Sequence, residues 1–254
     1  MSKRRLINYT ILLIEIILLS CNENTISDDL NRKKYYSNGK LKSEVPIKNK
    51  MKNGLANFYF ENGSIEQSVN YENDVQNGKA TFYYSNGNLK AEGYFKNGLQ
   101  FGEFKFYNQN GKLEETQDFQ LVKEKIYLNQ YKKYGKNGEL LNHLSNYVSI
   151  NCPDTMCLNN VDSLEIRLEA SVYKDKIRVI TGGFDENYSV KDPGKTDTID
   201  GSNNKALLFP KFDNTGEVFL RGIVQDYKIE KYKDSTLVKR RNIFFSKKLF
   251  IKEC

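Results

Sequence analysis

The chain reads as an all-β protein in two parts, an N-terminal array of stacked β-hairpin repeats followed by a C-terminal β-sandwich. Three observations carry this reading. Asn-Gly pairs recur every 24 residues, at Asn38-Gly39, Asn62-Gly63, Asn86-Gly87 and Asn110-Gly111. The segments between them alternate apolar and polar residues with the period of a strand. After Leu141 this period stops, and a different alternation starts near Ser163. A fixed period of this length marks a repeat array, in which each unit buries its apolar face against the next.

The N-terminus comes first in chain order. Lys3, Arg4 and Arg5 precede an apolar run over residues 6–19, which ends Leu18-Leu19-Ser20-Cys21. A basic stretch, a short apolar stretch and a small residue before the cut describe a secretory signal over residues 1–20. The run carries Asn8 and Glu15 and falls short of the roughly 20 apolar residues of a spanning helix. The Leu-Leu-Ser-Cys ending resembles the bacterial lipobox. That resemblance implies a lipoprotein with its lipid (palmitate) on Cys21, held at the cell envelope, with the outer membrane as the expected site. Residues 21–32 are polar and read as a tether.

Residues 33–142 hold the repeats. Asn-Gly between alternating segments predicts a two-residue type I′ turn. That register sets Phe60 opposite Ile65, Phe58 opposite Gln67 and Ala56 opposite Val69. In the next unit it sets Tyr84 against Leu89, Phe82 against Ala91 and Ala80 against Gly93. Leu41, Ile65, Leu89 and Leu113 form one repeating column, Phe58, Phe82 and Phe106 a second, and Ile47, Tyr71, Phe95 and Phe119 a third. All three are expected in the core. A degenerate fifth copy runs over residues 134–140. Tyr35, Tyr59, Tyr83 and Tyr107 fall on the opposite face, with Tyr59 across from Glu66, Tyr83 from Lys90 and Tyr107 from Glu114. They read either as rings packed over charged neighbours or as a ladder for a partner protein or glycan, since tyrosine offers stiff contact area with a polar tip.

The Tyr-Tyr-Ser-Asn-Gly-x-Leu-Lys-x-Glu core, clearest from Tyr83 to Glu92, is completed by Tyr94-Phe95-Lys96-Asn97-Gly98-Leu99 and Gly102-Glu103-Phe104. This pattern resembles the MORN-repeat variant family, whose members are often labelled YwqK-type antitoxins. The resemblance implies a meander of stacked hairpins with a binding or scaffolding role.

Residues 143–162 read as a junction and 163–254 as the sandwich, with immunoglobulin-like architecture as the candidate. Leu164, Ile166, Leu168, Ala170 and Val172 alternate with polar residues, and further strands are expected over 177–181, 206–209, 218–228, 238–245 and 249–251. Asp192-Pro193-Gly194 and Asp200-Gly201 are among the turn signals between them. The chain lacks the tryptophan of antibody domains. The stretch 185–204 holds Asp185, Glu186, Asp192, Asp197 and Asp200 without the spacing of a calcium loop, and reads as a mobile acidic surface loop with no metal.

Composition narrows the function. Formal net charge is +7, with Lys48, Lys50 and Lys52 clustered, but carboxylates are interspersed and a solvated face is expected. No nucleic-acid motif is present. With Cys21 lipidated, Cys152 and Cys157 form one candidate disulfide, and Cys254 is either free or paired with one of them. The single histidine, His143, lies beside no nucleophile pattern, and no phosphate loop or dinucleotide fingerprint occurs. The expected protein is therefore no enzyme and carries no cofactor. It is a lipid-anchored interaction or scaffold module whose partner is an envelope protein or glycan. The alternatives are a cell-wall or glycan binder, or a cytosolic antitoxin-like protein if the leader is not a signal.

Overall fold

The computed structural model describes residues 30–158, 163–169 and 176–254. The leader, Cys21 and residues 22–29 of the tether lie outside the described residues, as do Ala170 and Val172. What is described is almost wholly β, with two short 3₁₀ turns at Asn142–Leu144 and Pro193–Lys195.

The repeats form one antiparallel meander. Its strands are β1 (Leu30–Tyr35), β2 (Leu41–Lys48), β3 (Met51–Lys52), β4 (Gly54–Tyr59), β5 (Ile65–Glu72), β6 (Val75–Tyr83), β7 (Leu89–Lys96), β8 (Leu99–Tyr107), β9 (Leu113–Val122) and β10 (Lys125–Lys133). They lie side by side in chain order, except that β3 pairs only with β2.

Two kinds of turn alternate along this sheet, and the Asn-Gly pairs make the other kind from the one expected. At Asn62-Gly63 the Gly63 amide donates to the Phe60 carbonyl at 2.9 Å, and the Phe60 amide donates to the Ser64 carbonyl at 2.8 Å. Only Gly63 has positive φ, +95°. This is a type I turn closed by a glycine bulge, a three-residue connection. The same pair of bonds recurs from Tyr36, Tyr84, Asn108 and, in the fifth copy, Gly135. The bulge shifts the register by one residue, so Tyr59 faces Ile65, Tyr83 faces Leu89 and Tyr107 faces Leu113. Further from the turn the expected pairs hold: Phe58 with Gln67, Ala56 with Val69, Phe82 with Ala91, Ala80 with Gly93. The two-residue turns with both φ positive sit at the opposite edge, at Asn49-Lys50, Asn73-Asp74 and Lys123-Glu124, and at Asn97-Gly98. Three of the four begin with Asn, the non-glycine residue that tolerates this backbone well.

The array is a single layer, and its apolar face covers itself. Ala56, Val69, Ala80 and Phe104 are at most 1 % exposed. The columns expected in the core (Phe58, Phe82 and Phe106; Tyr71, Phe95 and Phe119; Leu41, Leu89 and Leu113) are only half-buried, and Ile65 is exposed. Of those columns Ile47 alone is buried. Small residues thus sit beneath large neighbours, because among the described residues no second layer lies over them. Phe104 is the exception in size. Its ring lies 5.6 Å from Phe95, 5.7 Å from Phe119 and 6.4 Å from Phe106. Gly93 makes room for it: a β-carbon there would stand 2.5 Å from the Phe104 ring.

The second half is a two-sheet sandwich. One sheet orders β11 (Tyr147–Asn151), β13 (Leu164–Glu169) and β16 (Lys205–Leu208). The other orders β12 (Thr155–Cys157), β18 (Thr236–Lys252), β17 (Gly216–Lys231), β14 (Lys176–Thr181) and β15 (Asp197–Gly201). Among the described strands only β12 with β18 is parallel. In immunoglobulin lettering this is A-B-E against A′-G-F-C-C′, so the strand order is immunoglobulin-like. Leu164, Ile166, Leu168, Ile177, Val179, Val224, Ile243 and Ile251 from the two inner faces form its core.

Four expectations change here. Residues 143–162, read as a junction, supply β11 and β12 to the sandwich. The two strands expected over 238–245 and 249–251 are one continuous strand, β18. The acidic stretch 185–204 is ordered by its own bonds. The Asp185 carboxylate accepts from the Asn187 and Ser189 amides, which hold it below its usual pKa, and β15 pairs with β14. Cys157 bonds Cys254, with Cα atoms 5.7 Å apart, and Cys152 is free. A bond within Cys152–Cys157 is therefore not formed. The observed one joins the end of β12 to the C-terminus beyond β18, which the parallel pairing of these strands brings together.

Candidate interaction surface

The polar face of the array is built by a cross-strand row. Glu44, Asn57, Ser68, Thr81, Glu92, Lys105 and Thr116 oppose one another in turn from β2 to β9. Ser68 donates to Asn57 at 2.7 Å, and Lys79 pairs with Glu92 at 3.3 Å. Charged and hydroxyl groups opposed in this way stabilise a sheet face modestly while leaving it wet.

The expected tyrosine ladder meets this row. The Tyr107 hydroxyl donates to Glu92 Oε1 at 3.1 Å. Burial first, then the bond and charge of Glu92 and the charge of Glu103, push the Tyr107 phenol above its ordinary pKa. Tyr59, Tyr83 and Tyr107 are half-buried, while Tyr35, on the edge strand, is exposed. Beside Tyr107 and Glu92 lies an open trough of about 320 Å³ lined by Lys79, Glu92, Gly93, Tyr94, Glu103 and Lys105. The rings therefore form a partly sunk column flanked by both charge signs.

Neighbouring repeats are stitched at their turns. The Tyr36 hydroxyl donates to the Tyr59 carbonyl at 2.6 Å, and Tyr84 to that of Tyr107 at 2.8 Å. Asn38 reaches Glu61, Asn62 reaches the Ser85 carbonyl and Asn86 the Gln109 carbonyl, each in the next unit. The asparagines of the first three Asn-Gly pairs thus serve as inter-repeat donors.

At its far end the array docks on the sandwich. Asn129, buried on β10, bonds both backbone groups of Phe244 on β18 and donates to Asp118 at 2.8 Å. Tyr188, in the loop after β14, has φ +57° and lays its ring 5.0 Å from that of Phe244. Burial, with a smaller contribution from Asp118, pushes its phenol up to about 12. A cleft of about 530 Å³ opens beside them, between Val122, Leu128, Phe184, Val190 and Ile223. Sequence reading missed this junction, because neither Asn129 nor Tyr188 belongs to a repeating column.

The remaining candidates are dispersed. His143 is exposed in the first 3₁₀ turn. Lys52 lies over the Tyr71 ring at 4.9 Å, whereas Lys48 and Lys50 are exposed. Asp200 is held below its usual pKa by Arg178, its partner at 2.7 Å. Burial raises the Cys152 thiol, opposed in part by Lys247. Among the described residues no three His, Cys, Asp or Glu side chains gather as metal ligands.

No curated protein matches the chain. Four of its segments, residues 29–49, 52–73, 76–97 and 102–121, match the MORN repeat variant model, and MORN repeats are generally modules for interaction with proteins or membranes.

Proposed function

We propose that this protein is a lipid-anchored interaction or scaffold module of the bacterial envelope, which engages a protein partner on the polar face of its repeat array. One observation carries the reading. The array is a ten-stranded single layer whose apolar face is occupied by its own ring packing, which leaves the face with Tyr59, Tyr83, Tyr107 and the charged row open to a partner. Tyrosines beside mixed charges supply rigid contact area and specificity together. The role is binding rather than catalysis. The anchor rests on the leader pattern, with Cys21 as the lipidated residue.

Two experiments test the parts separately. Replacing Tyr59, Tyr83 and Tyr107 with Ala should abolish crosslinked envelope partners while circular dichroism stays unchanged. Unaltered partners in the triple variant would remove this face from the proposal. For the anchor, intact mass and membrane fractionation of wild type and Cys21→Ser should show lipid and membrane retention in the wild type alone. An uncleaved, unmodified wild type would return the cytosolic antitoxin-like reading.

A second reading draws on the trough beside Tyr94, whose polar lining and ring suit a sugar. It predicts that the protein sediments with purified peptidoglycan or polysaccharide. No co-sedimentation at high protein concentration would exclude it.

A further inference from the structure

The β17–β18 hairpin outreaches the sheet that carries it. Among the described residues β14 pairs with β17 as far as Tyr227, and β17 and β18 go on pairing from Lys228–Lys239 to Lys231–Thr236. Four residue pairs and a turn lie beyond that pairing, about 13 Å of two-stranded ribbon at the usual rise. Every residue from 231 to 240 is exposed. Four of the ribbon's side chains are large and apolar: Ile229 is 49 % exposed, Tyr232 58 %, Leu237 45 % and Val238 53 %. Ile229 and Val238 are directly opposed, so they form one apolar spot on one side of the ribbon.

Cations surround that spot. Residues 228–240 hold Lys228, Lys231, Lys233, Lys239 and Arg240 against Glu230 and Asp234. Glu230 is engaged on the ribbon's other side by Lys228 at 3.6 Å, Lys239 at 3.0 Å and the Tyr232 hydroxyl at 3.1 Å. Among the described residues Lys231, Lys233 and Arg240 have no carboxylate partner. Nothing in the sandwich core requires this composition, because the ribbon lies beyond the core.

We propose that this ribbon is a membrane-contact finger that seats its apolar tip in the headgroup region of an anionic lipid surface. Charge complementarity selects an anionic occupant, and the exposed apolar side chains select one with an apolar interior. Width argues against a protein partner, because a stable interface buries about 800 Å² on each side and a bare two-stranded ribbon offers a narrow strip. An apolar edge ringed by Lys and Arg is the composition of interfacial membrane binders. The inference stands apart from the polar face of the array and does not need the lipid on Cys21.

The test uses the full chain carrying Cys21→Ser, so that no lipid is attached and the leader is common to every sample. It is mixed with vesicles of phosphatidylcholine alone or with about a third phosphatidylglycerol. Binding to anionic vesicles should fall about 100-fold when Lys231, Lys233 and Arg240 become Gln, at about fivefold for each cation. It should also fall in Ile229→Ser with Val238→Ser, which keeps every charge. These positions lie outside the core, and circular dichroism checks the fold. Equal binding by wild type and both variants would overturn the proposal. So would sensitivity to the charge variant alone, together with equal capture by soluble polyglutamate, because the ribbon would then be a general polyanion reader.

Discussion

The side chain of Asn129 pairs with the backbone of Phe244 as a strand would: its Nδ2 donates to the carbonyl at 2.8 Å, and its Oδ1 accepts from the amide at 2.7 Å. One buried amide thus joins the last strand of the array to β18 of the sandwich. Asn129→Ala would leave the Phe244 amide without its partner and its carbonyl with only the longer bond from Gln130 Nε2, 3.3 Å, at about 1–3 kcal/mol. The expected result in scanning calorimetry is a lower first transition, separated from that of the sandwich. An unchanged single transition would mean that other contacts carry the junction.

Gly93 and Phe104 form a second coupled pair. Gly93→Ala should destabilise the array by about 1–3 kcal/mol, because the Phe104 ring is hemmed in by three others and cannot move aside. Urea unfolding of G93A, F104A and the double variant checks this. The double variant should be more stable than the sum of the single losses implies.

The two turn types predict opposite sensitivities for asparagines that look alike. Asn73 has φ +49°, so Asn73→Ala forces alanine into the left-handed region at about 1–2 kcal/mol. Asn62 has no such φ, and Asn62→Ala loses only exposed bonds, its own to the Ser85 carbonyl and those from the Ser64 amide and hydroxyl, about 0.5–1 kcal/mol. Chemical denaturation should rank N73A below N62A in stability.

Tyr188 gives the junction a pH dependence. Its phenol is raised from 10.0 to about 12, chiefly by burial. Below pH 10 it is neutral in both states, and its contribution to stability is fully present. Between pH 10 and about 12 the unfolded chain releases the proton while the folded protein holds it. Stability therefore falls as pH rises, by about 2–3 kcal/mol across that window. The difference between wild type and Tyr188→Phe should be flat below pH 10 and decline above it.

The Cys157–Cys254 bond closes a loop with a sequence separation of 97. By chain entropy its loss destabilises the sandwich by about 4–5 kcal/mol. Cys254→Ser should lower the denaturation midpoint accordingly, and a non-reducing peptide map of the wild type should recover Cys152 alkylated and Cys157 joined to Cys254.

Much of the fold was legible because the sequence repeats itself. Ala56, Ala80 and Phe58 occupy fixed places in a 24-residue period, so pairings away from the turns could be read directly. The turn type was not legible from Asn-Gly alone, because that dipeptide suits both a two-residue turn and a type I turn with a glycine bulge. Columns of Phe and Leu were read as core on chemistry, yet a single layer gives them only each other for cover. In the sandwich, β15 was missed because Asp197 and Asp200 look like loop residues. Both are exposed on an edge strand, where carboxylates are tolerated and guard against edge pairing. The Cys157–Cys254 bond depends on β12 running parallel to β18, a long-range pairing with no local signature. The cross-strand partners of the tyrosine column were read one residue out, because the bulge sets Tyr59, Tyr83 and Tyr107 against Ile65, Leu89 and Leu113.

The central claim is that the polar face of the array is where a partner binds, and site-specific photocrosslinking in cells tests it most directly. A benzophenone side chain would replace Tyr83 on that face, Phe82 on the apolar face and Ile199 in the sandwich. The account predicts a discrete adduct from position 83 and little from 82 or 199. Adducts from 82 but not 83 would contradict it and place the partner on the ring-covered face instead.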